Sequence, residues 1–256
     1  MEQRLEPEDY MTQYVETDYF ESTLYKSQEV VNFLSAKELQ AFDDAGNSED
    51  AFVVTDTSME PAMKQIYNEE NTLTAKYKIF DSFYDNIKWR HLVDIIQPKL
   101  EREFGKGIRA SHIHILESHV PYGLHSDSEQ PNLKSAPAPA WTIIIPLDDY
   151  PSKTYQFNER SNLKDPMSWV RAHNIQKKPQ PAVDMETFEK DFAPLTAYES
   201  LEYLSVESIF HWKKGNAFAS DRFRFHCSDN YYNHGIKSKR ALVLWTSLPT
   251  EDTHYV

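Results

Sequence analysis

The sequence predicts a mainly β fold buttressed by α-helices, and three observations lead there. From residue 109 onward the chain breaks into short segments rich in β-branched and aromatic residues: IRASHIHILESHV, WTIIIPL, KTYQF, VESIFHW, NAFASD and ALVLWTS. Several of them are separated by Pro, Gly, Asn or Asp, the residues that end strands and make turns. Ahead of them lies a stretch with helical periodicity, and aromatic residues make up 13% of the 256, enough to form a core and line a pocket. A helical region feeding many short strands reads as a barrel or sandwich supported on one side by helices.

Taken in order, residues 1–27 are acidic and show no firm period, so they read as a loose lead-in. VVNFLS over 30–35 alternates like a short strand, and Ser35 followed by Glu38 forms a capping box ahead of the helical AKELQAF. Residues 43–50 are a loop of Asp, Gly, Asn and Ser. Between Tyr84 and Phe104 the apolar positions Ile87, Trp89, Leu92, Ile95, Ile96, Leu100 and Phe104 recur at helical spacing, and Gly105 closes the helix. The chain therefore reads as one domain, with residues 28–108 as helical support and 109–248 as a strand-rich core. The core is interrupted by an insert over 151–210, of a size that usually serves as a lid or contact surface.

Charge narrows the function. A net charge of −13 repels a phosphate backbone, which disfavours general nucleic-acid binding. A single cysteine, Cys227, excludes an intramolecular disulfide and fits a reducing compartment. No apolar run approaches a membrane span, and the acidic MEQRLEPEDY has no signal-peptide pattern, so we expect a soluble, cytoplasmic protein.

The chemistry concentrates in two places. His125 and Asp127 are one residue apart, so on an extended chain both side chains leave the same face, a spacing that suits two ligands of one metal. The pair is short enough to arise by chance. Farther on, GNAFASDRFRFHCSDNYYNHGIKSKRALVLWTS sets a Gly turn, an apolar strand, His226, a loop, basic residues and a second apolar strand in succession.

Together these segments resemble the prolyl-hydroxylase-like branch of the 2-oxoglutarate/Fe(II) oxygenases. The resemblance covers roughly residues 109–150 and 215–248, and VNFLSAKELQ is similar to the usual lead-in of that family. It implies a double-stranded β-helix (a jelly-roll, cupin-like barrel) with N-terminal helices and an inserted lid. It also implies that His125, Asp127 and His226 hold Fe(II) as metal ligands and catalytic centre, and that Arg240 binds the distal carboxylate of 2-oxoglutarate. His114 and Thr142 are candidate further contacts to the cosubstrate. O₂ is the co-reactant, ascorbate an accompanying reductant, and hydroxylation of a peptide side chain or small metabolite with release of succinate and CO₂ the expected reaction. Two departures stand out: the step of 14 residues from His226 to Arg240 is longer than usual, and the large insert gives no basis for copying a substrate.

The physical chemistry is consistent with that assignment. Two neutral imidazoles and a carboxylate on one face of an octahedral ferrous ion leave three positions open, two for a keto acid and one for O₂. A dianionic cosubstrate needs a fixed cation, and the fork of an arginine matches a carboxylate. On RALVLW, Arg240 shares a face with Leu242 and Leu244, where a guanidinium without an anion is costly.

Plainer readings stand beside these. On an apolar strand a lone His226 would read as a core histidine, but its place after Gly215 and before the basic pair favours the ligand, with His211 a rival distal ligand. His112 and His119 share the upstream segment with His114. Lys237 and Lys239 are alternatives to Arg240, although alternation places both on the opposite face. Cys227 fits packing on the far side of its strand. Trp169, Arg171 and His173 in the insert suit either substrate contact or anchoring. Two further functions remain open: a cupin-like metal enzyme that uses no keto acid, and a non-catalytic binding module on the same scaffold.

Overall fold

The computed structural model describes residues 26–127, 141–160, 182–202, 204–222 and 224–247. The lead-in before residue 26, most of the insert with Trp169, Arg171 and His173, and hence the expected lid, lie outside the described residues.

Among the described residues ten strands and four α-helices follow one another: β1 (Gln28–Val30), α1 (Ala36–Gly46), β2 (Phe52–Asp56), α2 (Glu60–Tyr67), β3 (Ala75–Ile79), α3 (Arg90–Phe104), β4 (Arg109–Ser118), β5 (Trp141–Pro146), β6 (Lys153–Arg160), α4 (Met185–Asp191), β7 (Val206–His211), β8 (Ala217–Asp221), β9 (Arg224–Ser228) and β10 (Lys239–Ser247). They form two antiparallel sheets, one of seven strands in the order β1-β8-β5-β10-β4-β3-β2 and one of three in the order β7-β6-β9.

Local chemistry explains the helices. Ser35 caps α1, its hydroxyl accepting from the Glu38 backbone N–H while Glu38 accepts from the Ser35 N–H at 2.7 Å, so two otherwise orphaned donors are satisfied together. Leu92, Val93, Ile96 and Leu100 are the buried stripe of α3. The helix starts later than its pattern suggests, because the Asn86 side chain accepts from the Lys88 N–H and holds Ile87–Trp89 in a 3₁₀ turn with Ile87 82% exposed.

The region expected to be helical support contributes more strand than expected, and the short strand expected over 30–35 lies earlier, at Gln28–Val30, with a turn after it. AKYKI forms β3, its lysines alternating with Ala75, Tyr77 and Ile79, and β3 pairs with both β2 and β4. The insert is likewise shorter than expected. KTYQF and VESIFH are paired strands of the second sheet, so the excursion runs from the end of β6 to the start of β7.

Three apolar layers result. The outer face of the large sheet, including Ile113, Ile115, Ile143, Ile145, Leu242 and Leu244, packs on α1 and α3. Its other face meets the small sheet through Ala241, Val243, Phe218, Phe210 and Trp212. The far side of the small sheet, with Tyr155, Phe157, Phe225 and Cys227, is covered by Phe192, Leu201 and Leu204 from the chain after the insert. Alternation along β10 thus decides direction: even-numbered side chains face the helices, and odd-numbered ones face the space between the sheets.

Candidate metal centre

The residues around the triad lie where β9 meets the segment before residue 128. His125 and His226 sit directly opposite each other and exchange both backbone hydrogen bonds, at 3.0 and 2.8 Å. Asp127 continues the same run, its N–H donating to the Arg222 carbonyl at 3.0 Å. Extended geometry therefore puts His125 and Asp127 on one face, against His226.

The ligand atoms of His125, Asp127 and His226 all lie within 4.8 Å of one another. Nε2 of His125 is 3.8 Å from one Asp127 oxygen, and Nε2 of His226 is 3.7 Å from the other. These separations exceed a hydrogen bond. They lie near the roughly 3 Å that adjacent ligands take around an ion with bonds of about 2.1 Å. The opposite ring nitrogens are already engaged, His125 Nδ1 with the Gly123 carbonyl at 2.7 Å and His226 Nδ1 with the Arg224 carbonyl at 3.3 Å. Those contacts fix the tautomers and leave both Nε2 lone pairs directed at the shared centre.

Electrostatics prepares the same groups. Burial, with the neighbouring His226, lowers His125 to about 4, so it is neutral and able to ligate at physiological pH. Burial alone raises the Asp127 carboxyl. The imidazoles of His226 and His125, the Thr142 hydroxyl and Arg222 more than offset it and hold the group below its ordinary range. The donor set thus fits a divalent ion of the ferrous type.

The structure separates the other expected residues. Thr142 donates to the second Asp127 oxygen at 2.5 Å, so its proton is committed to the ligand carboxylate instead of to a cosubstrate. His114 lies on the inner face of β4 between Tyr77 and Trp245, buried, and its Nδ1 has no hydrogen-bond partner among the described residues. His211 is exposed at the end of β7, away from the triad's strand pairing. His119 pairs with Glu117 at 3.3 Å. Cys227 is buried on the outer side of the small sheet.

The Arg240 expectation requires correction. Its guanidinium points to the helix side of the large sheet, where Nη1 donates to Asp43 of α1 at 3.0 Å and Nη2 to Asp148 at 3.0 Å. The anions that a buried guanidinium demands are supplied by the protein itself. The inward cation is Lys239. It is 2% exposed, and its Nζ donates to Ser152 Oγ and Ser228 Oγ, each at 2.8 Å, over the faces of Trp212 and Tyr231. Alternation distinguished the two residues in the sequence, but nothing local in RALVLW reveals which face turns inward. A second inner cation also lay outside the sequence reading. Arg222 lies 4.4 Å over the Trp245 ring and donates to the Asp127 carbonyl at 3.3 Å.

No protein-family model matches the sequence, and no curated protein matches it either. Solved structures do. The non-heme α-ketoglutarate-dependent epimerase SnoN from nogalamycin biosynthesis superimposes with a TM-score of 0.51 at 15% identity, over 87% of this chain and 78% of SnoN. The chain has the fold of SnoN. Two others are similar more distantly: HygX from Streptomyces hygroscopicus with nickel and 2-oxoglutarate bound (TM-score 0.48, 11% identity, 90% of this chain and 85% of HygX), and the α-ketoglutarate-dependent carbocyclase SnoK from nogalamycin biosynthesis (0.47, 14%, 90% and 82%). Among the described residues no helix is long and apolar enough to cross a membrane.

Proposed function

We propose that this protein is an Fe(II)- and 2-oxoglutarate-dependent oxygenase on a double-stranded β-helix, of the prolyl-hydroxylase-like branch. The observation that carries the proposal is the convergence of His125, Asp127 and His226, with each imidazole held by a backbone carbonyl and the carboxylate by Thr142. SnoN, described as an α-ketoglutarate-dependent epimerase, supports it.

When bound, the ferrous ion supplies O₂ activation coupled to decarboxylation of the keto acid, with release of succinate and CO₂. The chain's own residues do the rest. His125 and His226 offer their Nε2 atoms, and Asp127 supplies a carboxylate that Thr142 orients. Lys239 is the cation for the distal carboxylate. It shares Ser228 with β9, two residues beyond His226 on the same face, or roughly 7 Å along the strand. A five-carbon diacid chelated beside His226 has about that reach.

Hydroxylation of an aliphatic carbon is the reaction we assign, with a small metabolite or peptide side chain as substrate. The −13 net charge disfavours nucleic acid, and the single buried Cys227 suits a reducing, cytoplasmic setting. SnoN's description as an epimerase leaves the fate of the oxidised carbon to the substrate bound.

The test is uncoupled turnover. Purified protein with Fe(II), ascorbate, O₂ and 2-oxoglutarate should form succinate slowly without primary substrate, and Asp127→Ala should abolish it. Succinate absent from the native protein, with metal bound, would point instead to a metal enzyme that uses no keto acid.

A further inference from the structure

Around the inner end of Lys239 the protein has assembled a buried polar network larger than one ammonium needs. Asp229, 0% exposed, accepts from Ser152 Oγ at 2.6 Å and from the Lys153 N–H at 2.9 Å. The Ser152 proton is thereby committed to Asp229, and its free lone pair accepts from Lys239 Nζ at 2.8 Å. The result is a relay from ammonium to hydroxyl to carboxylate. Asp229 itself stands 3.9 Å from Nζ, beyond hydrogen-bond range. It supplies charge without occupying a donor of the lysine. Arg240 is the contrast, its guanidinium held directly by Asp43 and Asp148.

We propose that Asp229, acting through Ser152, is a positioning residue that keeps the Lys239 ammonium charged and aimed at the distal carboxylate of the cosubstrate. This rests on the assignment of Lys239 above.

Every element around the ammonium is consistent with that role. Ser228 of β9 fixes its second hydrogen bond, while Trp212 beyond β7 and Tyr231 of the 3₁₀ turn Tyr231–His234 present aromatic faces at 3.9 and 4.7 Å. The other titratable groups lie farther out. His234 Nε2 is 3.6 Å from Asp229 and 3.9 Å from Asp191, and Lys153 Nζ is 2.6 Å from Asp191, which also accepts from Tyr155. Asp229 is therefore the carboxylate nearest the ammonium among the described residues. Burial lowers Lys239 to about 7 even with Asp229 pulling it upward, and burial raises Asp229 against the pull of Lys239, Ser152, Lys153 and His234. Without Asp229 the lysine loses its proton at a lower pH than it does in the native protein.

The experiment titrates 2-oxoglutarate into nickel-loaded protein between pH 6 and 8.5. Binding is read by calorimetry and by the fluorescence of Trp212 beside the ammonium, so no turnover is needed. Asp229→Asn should bind 2-oxoglutarate close to normally at pH 6 and about tenfold more weakly than native at pH 8, a displacement of the pH profile by about one unit toward acid. Ser152→Ala, a smaller change that tolerates poor folding of the Asp229 variant, should displace it the same way. Adding Lys239→Arg to Asp229→Asn should restore binding at pH 8, because a guanidinium stays charged there. Profiles that weaken uniformly, without displacement, would overturn the inference and leave Asp229 a structural residue. If Lys239→Ala binds 2-oxoglutarate like native protein at every pH, the assignment of Lys239 itself has failed.

Discussion

Lys239 and Arg240 are consecutive residues of one strand whose cations serve opposite sides of the large sheet. Lys239 is enclosed between the two sheets by Ser152, Ser228, Trp212 and Tyr231, and Arg240 is clamped outside by Asp43 and Asp148. Alanine substitutions at these neighbouring positions should therefore have different consequences.

Arg240→Ala removes two ion pairs that are partly solvent-screened, its side chain being 30% exposed. It should cost about 1 kcal/mol of stability in thermal denaturation and leave 2-oxoglutarate affinity unchanged. Lys239→Ala should weaken the cosubstrate by at least about tenfold in the same nickel-loaded titration. The reverse pattern would restore the role the sequence assigned to Arg240.

Thr142→Val keeps the shape of the side chain and removes the hydrogen bond to Asp127. Metal affinity, measured by titration with Ni(II), should fall by about 10- to 100-fold, the usual effect of removing an outer partner of a ligand. An unchanged isotherm would show that Asp127 needs no orienting.

His114 makes the fold acid-sensitive. Burial lowers it to about 3 from an ordinary value of 6.5, with His112 adding to the shift. As pH falls through that window the unfolded chain takes up the proton and the folded one does not, so stability is lost from pH 6.5 downward. The slope should approach about 1.4 kcal/mol per pH unit for this one group. Denaturant unfolding at pH 4.5, 5.5 and 6.5 reads it, and His114→Leu should flatten the dependence.

Two glycines with similar backbone angles should behave differently. Gly215 has φ +78, and a Cβ there would lie 2.3 Å from the Leu34 carbonyl oxygen, whereas Gly235 has φ +76 and nothing within 4 Å. Gly235→Ala pays only the left-handed strain of about 1–2 kcal/mol. Gly215→Ala adds a clash with backbone that cannot swing aside, so it should destabilise by several kcal/mol or prevent folding, as judged by equilibrium unfolding.

These cases show what the sequence carries and what it does not. The His-x-Asp pair is legible because alternation alone puts His125 and Asp127 on one face, and the Ser35–Glu38 cap because both partners lie within one turn. Strand β3 was missed because Lys76 and Lys78 make AKYKI look like exposed chain, although Lys78 is buried and donates to Asn47. The inward direction of β10 depends on which face meets α1 and α3, and that is decided by residues such as Leu92 and Phe42 far away in the chain. Asp229 gave no sequence signal, since its partners Ser152 and Lys153 are over 70 residues distant.

The central claim is that His125, Asp127 and His226 hold a ferrous ion that chelates 2-oxoglutarate. Anaerobic addition of Fe(II) and then 2-oxoglutarate tests it directly, through the weak visible charge-transfer band of the chelate. The account predicts that the band forms in native protein, is abolished by His226→Ala, and forms in Lys239→Ala only at higher 2-oxoglutarate concentration. A native protein that binds Fe(II) and gives no band at saturating 2-oxoglutarate would contradict it.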